Sequence, residues 1–486
     1  MRWTSGPLEI AKRGRKETLA PTTREAIERW HDPAALNVLD GSPIDCLVVT
    51  WAAGMPEDAA QQKTAAALLE AARSRGLAIV GWTEGTIDPQ AAIAAARASG
   101  LSAIAIKNFT GQSDFPVISW GDQADVPWDA KGPVLAAADN VWPGVSVASG
   151  GADASAGPTS LPWLDSNGWF IRLARARVET PVWLLFDPPG KGVRVLPQRY
   201  VTAICDSEAA GARWVISMDD DLRSGLIAGS TAARESWKQI GRTASFFKGR
   251  AEWKSYRPLG LVGVISDFEG ENLDGSREIL NLMARRDLLF QVIWKSQALE
   301  RPFLGLKALV YADSGQTAQP LRQKILKFVE QGGLLIAGPQ WASGGPPANP
   351  EFDTHFDVRN HGKGRLAAAR KEMPDPYELA VETQFLLSHR NDLMKIYNSA
   401  SSGCTSFTAS PDGKRVVLQG LSFADRRPAG AKTVWLRDDR GNARLWAVGA
   451  GPVPVAAEPS EEYAGVEYHL PEAVSAEPYF ALEWGV

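Results

Sequence analysis

The sequence predicts an α/β protein in three parts: a (β/α)8-type barrel over residues 1–255, a compact three-layer α/β unit over 256–350, and a small β-sandwich over 351–486. Three observations lead there. Up to about residue 255, apolar strand-like runs alternate with Ala- and Leu-rich helical stretches that glycines stop, with little antiparallel signal; that alternation implies a parallel sheet. The segment Leu259–Gly338 repeats the pattern on a smaller scale. Beyond a Gly/Pro/Asn stretch at Ser343–Pro350, helical periodicity gives way to short strands between turns.

In the first part, Ile44–Trp51 reads as a buried strand, followed by a helix from about Asp58 to Arg75 that Gly76 stops. Strand Leu77–Trp82 ends at Thr83-Glu84-Gly85. The helix Pro89–Ser99 is stopped by Gly100 and followed by strand Ser102–Lys107. Weaker strands are read at Phe115–Trp120, Pro133–Ala138 and Gly144–Val147, then a helix over Ser166–Arg177. Strand Pro181–Phe186 ends at Asp187-Pro188-Pro189, helix Gln198–Ala210 at Gly211, and strand Arg213–Met218 at Asp219-Asp220-Asp221. Seven or eight strands in about 250 residues is the size of a (β/α)8 barrel. An open doubly wound sheet is the alternative, although no GxGxxG follows the first of these strands.

The second part opens with the apolar strand Leu259–Ser266 and the polar loop Asp267–Asn272. A helical stretch to Arg286 follows, then strand Leu306–Tyr311. A helix with Leu321, Ile325, Phe328 and Val329 on one face stops at Gly332-Gly333, and strand Leu334–Gly338 resumes at once. In the third part, Val416–Gln419, Thr433–Arg437, Ala443–Val448 and Tyr479–Trp484 read as strands, and Pro411-Asp-Gly413 as a hairpin turn.

Composition narrows the function. The 486 residues carry a net charge of −4, which gives no electrostatic footprint for nucleic acid. No apolar run is long enough to span a membrane. The start lacks the apolar core of a signal peptide, so a cytoplasmic protein, or a secreted one whose signal was removed, is expected. Cys46, Cys205 and Cys404 are far apart and odd in number; Cys46 and Cys205, in an apolar strand and an apolar helix, read as buried structural thiols. The five histidines are scattered, so neither a metal nor a cofactor is expected. Tryptophan is the outlier: 13 of the 18 lie before residue 260. Its broad face suits the apolar side of a sugar ring, and equally a core of large side chains.

A barrel carries its active site at the carboxyl ends of its strands. There the sequence places Trp51, Trp82 with Glu84, Lys107, Trp120 with Asp122, Asp139 with Trp142, Asp187, and Asp219–Asp221. Glycoside hydrolysis needs two carboxyl groups, one to protonate the leaving oxygen and one as nucleophile or base. Glu84 and Asp187 are the first pair and Asp219 the third candidate. Trp51, Trp82, Lys107, Trp120 and Trp142 are candidate substrate contacts, together with Trp163, Asn167 and Trp169 from the loop Gly157–Trp169. Asp267 and Glu269 join them, because their loop follows a parallel strand at its carboxyl end. The bland readings are mouth ion pairs for Glu84 and Lys107, a turn for Asp187, solvent or a helix cap for Asp220 and Asp221, and self-contained loop bonding for Asp267 and Glu269.

The order of parts resembles that of family 42 β-galactosidases and related glycoside hydrolases: a barrel, a flavodoxin-like domain carrying Leu306–Tyr311 and Gly332–Ile336, then a β-sandwich. In that family the middle unit is a trimerisation domain similar to a class I glutamine amidotransferase, which implies a possible homo-oligomer. His361–Leu366, Asp375-Pro-Tyr377 and Leu386–Leu393 look like the start of the last domain of such hydrolases. The family carries an Asn-Glu pair at the end of its fourth strand. This sequence has no Asn-Glu pair, so those catalytic residues are not carried over. The amidotransferase nucleophile is missing as well: Leu334–Gly338 runs into Pro339-Gln-Trp341 with no cysteine. The expected function is a glycoside hydrolase cleaving an oligo- or polysaccharide at the barrel mouth. A carbohydrate-binding protein that has lost turnover is the alternative.

Overall fold

The computed structural model describes residues 1–146, 148–150, 153–155, 163–190, 195–342, 344, 346–349, 354–398, 403–424 and 431–485. The chain divides into two compact units, Met1–Pro143 with Val178–Ala251, and Gly144–Arg177 with Glu252–Val486.

The first unit is built on eight parallel strands: β1 (Arg2–Trp3), β2 (Cys46–Ala52), β3 (Ala78–Thr83), β4 (Ala103–Lys107), β5 (Val117–Asp122), β6 (Leu135–Ala138), β7 (Val182–Leu184) and β8 (Arg213–Trp214). They neighbour one another in chain order without reversal. A doubly wound sheet reverses its order at a switch point, so that alternative falls and the sheet is singly wound and curled, of barrel type. At one point its edges touch: the Arg2 backbone N–H donates to the Ile216 carbonyl at 2.9 Å. Two expectations change here. The first strand is Arg2–Trp3, ahead of the run around Ile44–Trp51. Gly144–Ser146 pairs antiparallel with Trp163–Asp165 and belongs to the second unit; Val147 lies outside the described residues.

Strand side chains alternate between faces. Val48, Val80, Trp82, Ala105, Ile118, Trp120, Ala136, Leu185 and Val215 pack together on the inner face. By the same period Leu47, Val49 and Trp51 fall on the opposite face of β2, and all three are buried. The helix Asp58–Ser74 buries Gln61, whose amide donates to the Ser5 and Thr50 carbonyls and accepts the Leu8 N–H at 3.1 Å. One buried side chain thus fixes the helix Gly6–Gly14 against β2. Trp3 stacks on Trp30 at 4.2 Å and donates its indole N–H to the Trp30 carbonyl. With Trp3 committed to that contact, the neighbouring Arg2 is left on the inner side.

The second unit holds a six-stranded sheet in the order Phe290–Trp294, Val262–Ser266, Ala308–Tyr311, Leu334–Ala337, Gly364–Ala369, Phe356–His361. All its pairings are parallel except the last. The helix Gln319–Glu330 buries Leu321, Ile325 and Val329, as their spacing predicts. Two antiparallel sheets follow. The larger runs Arg257–Pro258, Gly403–Ala409, Val416–Ser422, Tyr479–Trp484, Ala443–Ala447, Val453–Val455. The smaller runs Met394–Tyr397, Thr433–Leu436, Val466–His469, Glu458–Pro459. Leu418, Leu445 and Leu482 from the larger and Ile396, Val434 and Tyr468 from the smaller share one core. Pro411-Asp-Gly413 turns the hairpin between Gly403–Ala409 and Val416–Ser422, with Gly413 at φ +71°. None of the three cysteines is in a disulfide; Cys205 is fully buried and the other two partly. Among the described residues no helix is long and apolar enough to cross a membrane.

Candidate active site at the strand ends of the first unit

The strand period dictates which side chains reach the carboxyl end of the curled sheet. Extending each inner-face series two residues at a time leads from Trp82 to Glu84, from Trp120 to Asp122, from Leu185 to Asp187, and from Val215 through Ser217 to Asp219. All of these except Val215 line a cavity of about 800 Å³. Trp82 and Trp120 line it as a stacked pair, with centroids 4.6 Å apart.

Arg2 ties the site together. Its Nη1 donates to both oxygens of Asp187, at 2.9 and 3.0 Å, and its Nη2 lies 3.5 Å from Glu84 Oε1. Lys12, from the helix Gly6–Gly14, holds the other Glu84 oxygen at 2.6 Å. Ser217 Oγ donates to Asp187 Oδ1 at 2.6 Å. Burial alone would lower the Arg2 pKa; Asp187 and then Glu84 outweigh it and hold the guanidinium above its ordinary value. Asp187 is the open member of the pair, its side chain 60% exposed against 29% for Glu84.

A second ion cluster sits beside it. Arg13 grips both Asp220 oxygens, at 2.9 and 2.7 Å, and Arg223 pairs with the same carboxylate. Burial would raise the Asp220 pKa, but the two arginines hold it below the usual carboxylate range. Asp219 caps the helix Asp220–Ile227: Oδ1 accepts the Leu222 N–H at 2.7 Å and Oδ2 the Tyr200 hydroxyl at 2.7 Å. Burial, then the neighbouring Asp219 charge, pushes the Tyr200 phenol up. Nine carboxylates and five cations line the cavity, so its field favours neutral or cationic ligands.

Of the residues singled out in the sequence, Glu84, Asp187, Asp219, Trp82 and Trp120 come together here. Lys107 pairs with Asp122, which raises the lysine's pKa, and lies 5.2 Å from the Trp120 ring centroid, without lining the cavity. Trp51 is fully buried and Trp142 packs edge-on against Phe186, Tyr200 and Trp214; neither lines the cavity. Trp163, Asn167, Trp169, Asp267 and Glu269 belong to the second unit. There Trp163 lies in a short strand and its side chain is outside the described residues. Asn167 is fully buried, and Trp169 is buried edge-on to Phe170. Asp267 bonds the Glu269 N–H and the Asn272 amide of its own loop. Arg2, Lys12 and Arg13 escaped the sequence reading: two residues of β1 give no periodicity. The signal that could have found them is the basic pair Lys12-Arg13 close behind a Pro7-started helix. Among the described residues one group of three metal-ligating side chains converges, His355 with Glu378 and Glu382, in the second unit.

No protein-family model matches the chain, and no curated protein matches it. Solved structures do. The chain is similar to α-L-fucosidase isoenzyme 2 from Paenibacillus thiaminolyticus, with a TM-score of 0.55 at 10% identity over 93% of this chain and 96% of that one. It is also similar to a GH42 β-galactosidase from G. stearothermophilus (TM-score 0.42, 10% identity, 88% of this chain and 67% of that one). A third is a rhamnosidase from Novosphingobium sp. PP1Y (TM-score 0.43, 10% identity, 87% and 39%). The last two scores are too low to carry an argument. The first shows a shared fold along almost the whole of both chains.

Proposed function

We propose that the protein is a glycoside hydrolase acting at the strand-end cavity of its first unit, with Asp187 and Glu84 as the paired carboxyl groups. The observation that carries this is the Arg2 bridge: one guanidinium holds carboxylates from the segments that follow β3 and β7 over a cavity lined by a Trp82–Trp120 stack. Asp187, which accepts from Ser217 and Arg2 and is the more open of the two, is placed for the role of nucleophile or base. That leaves Glu84 to protonate the leaving oxygen, which requires the substrate to displace Lys12 from it. Trp82 and Trp120 offer the sugar a face. Asp219, already engaged by Tyr200 and Leu222, supports the loop; Trp51, Lys107 and Trp142 stand outside the step. The fold shared with a fucosidase supports the reading, and the acids are this chain's own.

The same reading divides the chain into three parts. The order 2-1-3-4-5 of the parallel strands in the six-stranded sheet is the flavodoxin-like order, and supports a flavodoxin-like second part running on to about residue 370. Two antiparallel sheets around one core support a β-sandwich after it.

A second reading has one specific observation behind it. Both Glu84 oxygens face cations, as a carboxylate retired from proton transfer would. The protein would then bind carbohydrate without cleaving it. Release of reducing ends from a panel of oligo- and polysaccharides, α-L-fucosides and β-galactosides included, separates the two. Release establishes the hydrolase; binding to a member of the panel with no release from any selects the binder.

A further inference from the structure

We propose that His355, Glu378 and Glu382 form a site for a divalent cation of the zinc class, clasping the segment that leads into strand Phe356–His361 to the helix Pro376–Leu387. The inference is independent of the barrel-mouth chemistry. Glu378 and Glu382 are four residues apart on one helix, so they share a face. Among the described residues neither is paired with a lysine or arginine, so two like charges stand side by side unrelieved except by His355. His355 Nδ1 lies 2.6 Å from Glu382 Oε1. The three potential ligand atoms all lie within 4.8 Å of one another. Some point therefore lies within about 2.8 Å of all three, against zinc–nitrogen and zinc–oxygen lengths of roughly 2.0–2.2 Å. Ligation would draw Glu378 in by less than an ångström and open the 2.6 Å His355–Glu382 hydrogen bond to the roughly 3.4 Å between two ligands of a tetrahedral ion, and His355, its side chain 54% exposed, has room to turn.

The backbone around the site is already fixed. The His355 N–H donates to both Glu382 oxygens, at 3.1 Å each, and its carbonyl accepts the Arg370 N–H at 2.9 Å. Asp375 caps the helix that carries both glutamates, bonding the Tyr377 and Glu378 N–H groups. One imidazole and two carboxylates leave a fourth position to water, and the nitrogen ligand favours zinc over magnesium or calcium, which prefer all-oxygen shells. Sequence spacing gave no hint, because the histidine and the glutamates lie on separate elements.

The test is equilibrium dialysis of untagged, chelator-stripped full-length protein against zinc chloride, for wild type, Glu378→Gln and His355→Asn. The expected result is one zinc per chain in wild type, affinity at least tenfold weaker in each variant, and no competition from equimolar magnesium. Glu378 makes no side-chain hydrogen bond or ion pair among the described residues, so its variant should fold as wild type by circular dichroism and keeps the test decisive should His355→Asn misfold. Absence of stoichiometric zinc in wild type would overturn the proposal, as would binding unchanged by Glu378→Gln, which would point to ligands elsewhere in the chain.

Discussion

Arg2→Met removes the guanidinium that joins Asp187 to Glu84 and keeps an apolar stem of similar length. The stability cost follows from the contacts. A hydrogen bond to a charged group contributes about 1.5–3 kcal/mol when enclosed, but Asp187 is 60% exposed, and exposed pairs contribute only about 0–1 kcal/mol. Glu84 keeps Lys12 at 2.6 Å after the change. The backbone bond from Arg2 to Ile216 is untouched. The loss of stability is therefore about 1–2 kcal/mol, read as a lower urea midpoint with an unchanged slope. Activity should suffer far more. Two carboxyl groups lose the group that orients both, and misplacement by about an ångström costs on the order of 10²-fold. Arg2→Lys should recover most of the stability and little of the rate, because a point charge cannot span both partners. A kcat/KM for Arg2→Met within threefold of wild type, in folded protein, would refute the idea that Arg2 positions the pair.

Trp82→Phe should fold, with about 1–2 kcal/mol lost from the stack on Trp120, and raise KM several-fold with kcat little changed. Asp219→Asn keeps an oxygen for the Leu222 cap and should leave kcat within about fivefold; loss of turnover there would make Asp219 an acting carboxylate. In the second unit, burial pushes the Asp287 carboxyl up from 3.8 to about 6. The residue as a whole keeps partial exposure, but its carboxyl is turned inward and accepts the Ile396 N–H at 3.3 Å. The folded state then binds the proton more tightly than the unfolded state. Its stabilising contribution is full below pH 3.8 and lost as pH rises through about 6. The second unit's unfolding free energy, read from urea titrations, should fall across that window by an amount on the order of 2–3 kcal/mol, and Asp287→Asn should flatten much of the slope. A residual slope reaching pH 7 would come from Glu278, which burial pushes up to about 7.

Much of the first unit was legible because long apolar runs punctuated by glycine define buried parallel strands. β2, β3 and β4 fall within a residue or two of where the sequence puts them. β1 was not legible. Its two residues pair with Val48 and Val49 and are held by Trp3 stacking on Trp30, a tertiary contact with no local signature. Losing β1 also lost Arg2, and with it the link between Glu84 and Asp187. Trp51 shows the converse. Its place at a strand end suggested a ligand face, but Val48 points inward, and the two-residue period turns Trp51 to the other face. The same period, applied from Trp82, Leu185 and Val215, leads to Glu84, Asp187 and Asp219. Parity, more than proximity to a strand end, decides which side chains reach the cavity. Residues 356–369 join the six-stranded sheet because Gly364–Ala369 pairs in parallel with Leu334–Ala337 across a long connection, a pairing that sequence periodicity does not encode.

The most direct test measures turnover and binding together on one cleaved glycoside for wild type, Asp187→Asn and Glu84→Gln, each verified as folded. The account predicts that both variants lose at least about 10³-fold in kcat while binding within several-fold of wild type, because each removes a group used in the chemical step. Wild-type turnover retained in both variants would contradict it and move the reaction away from the Arg2 bridge.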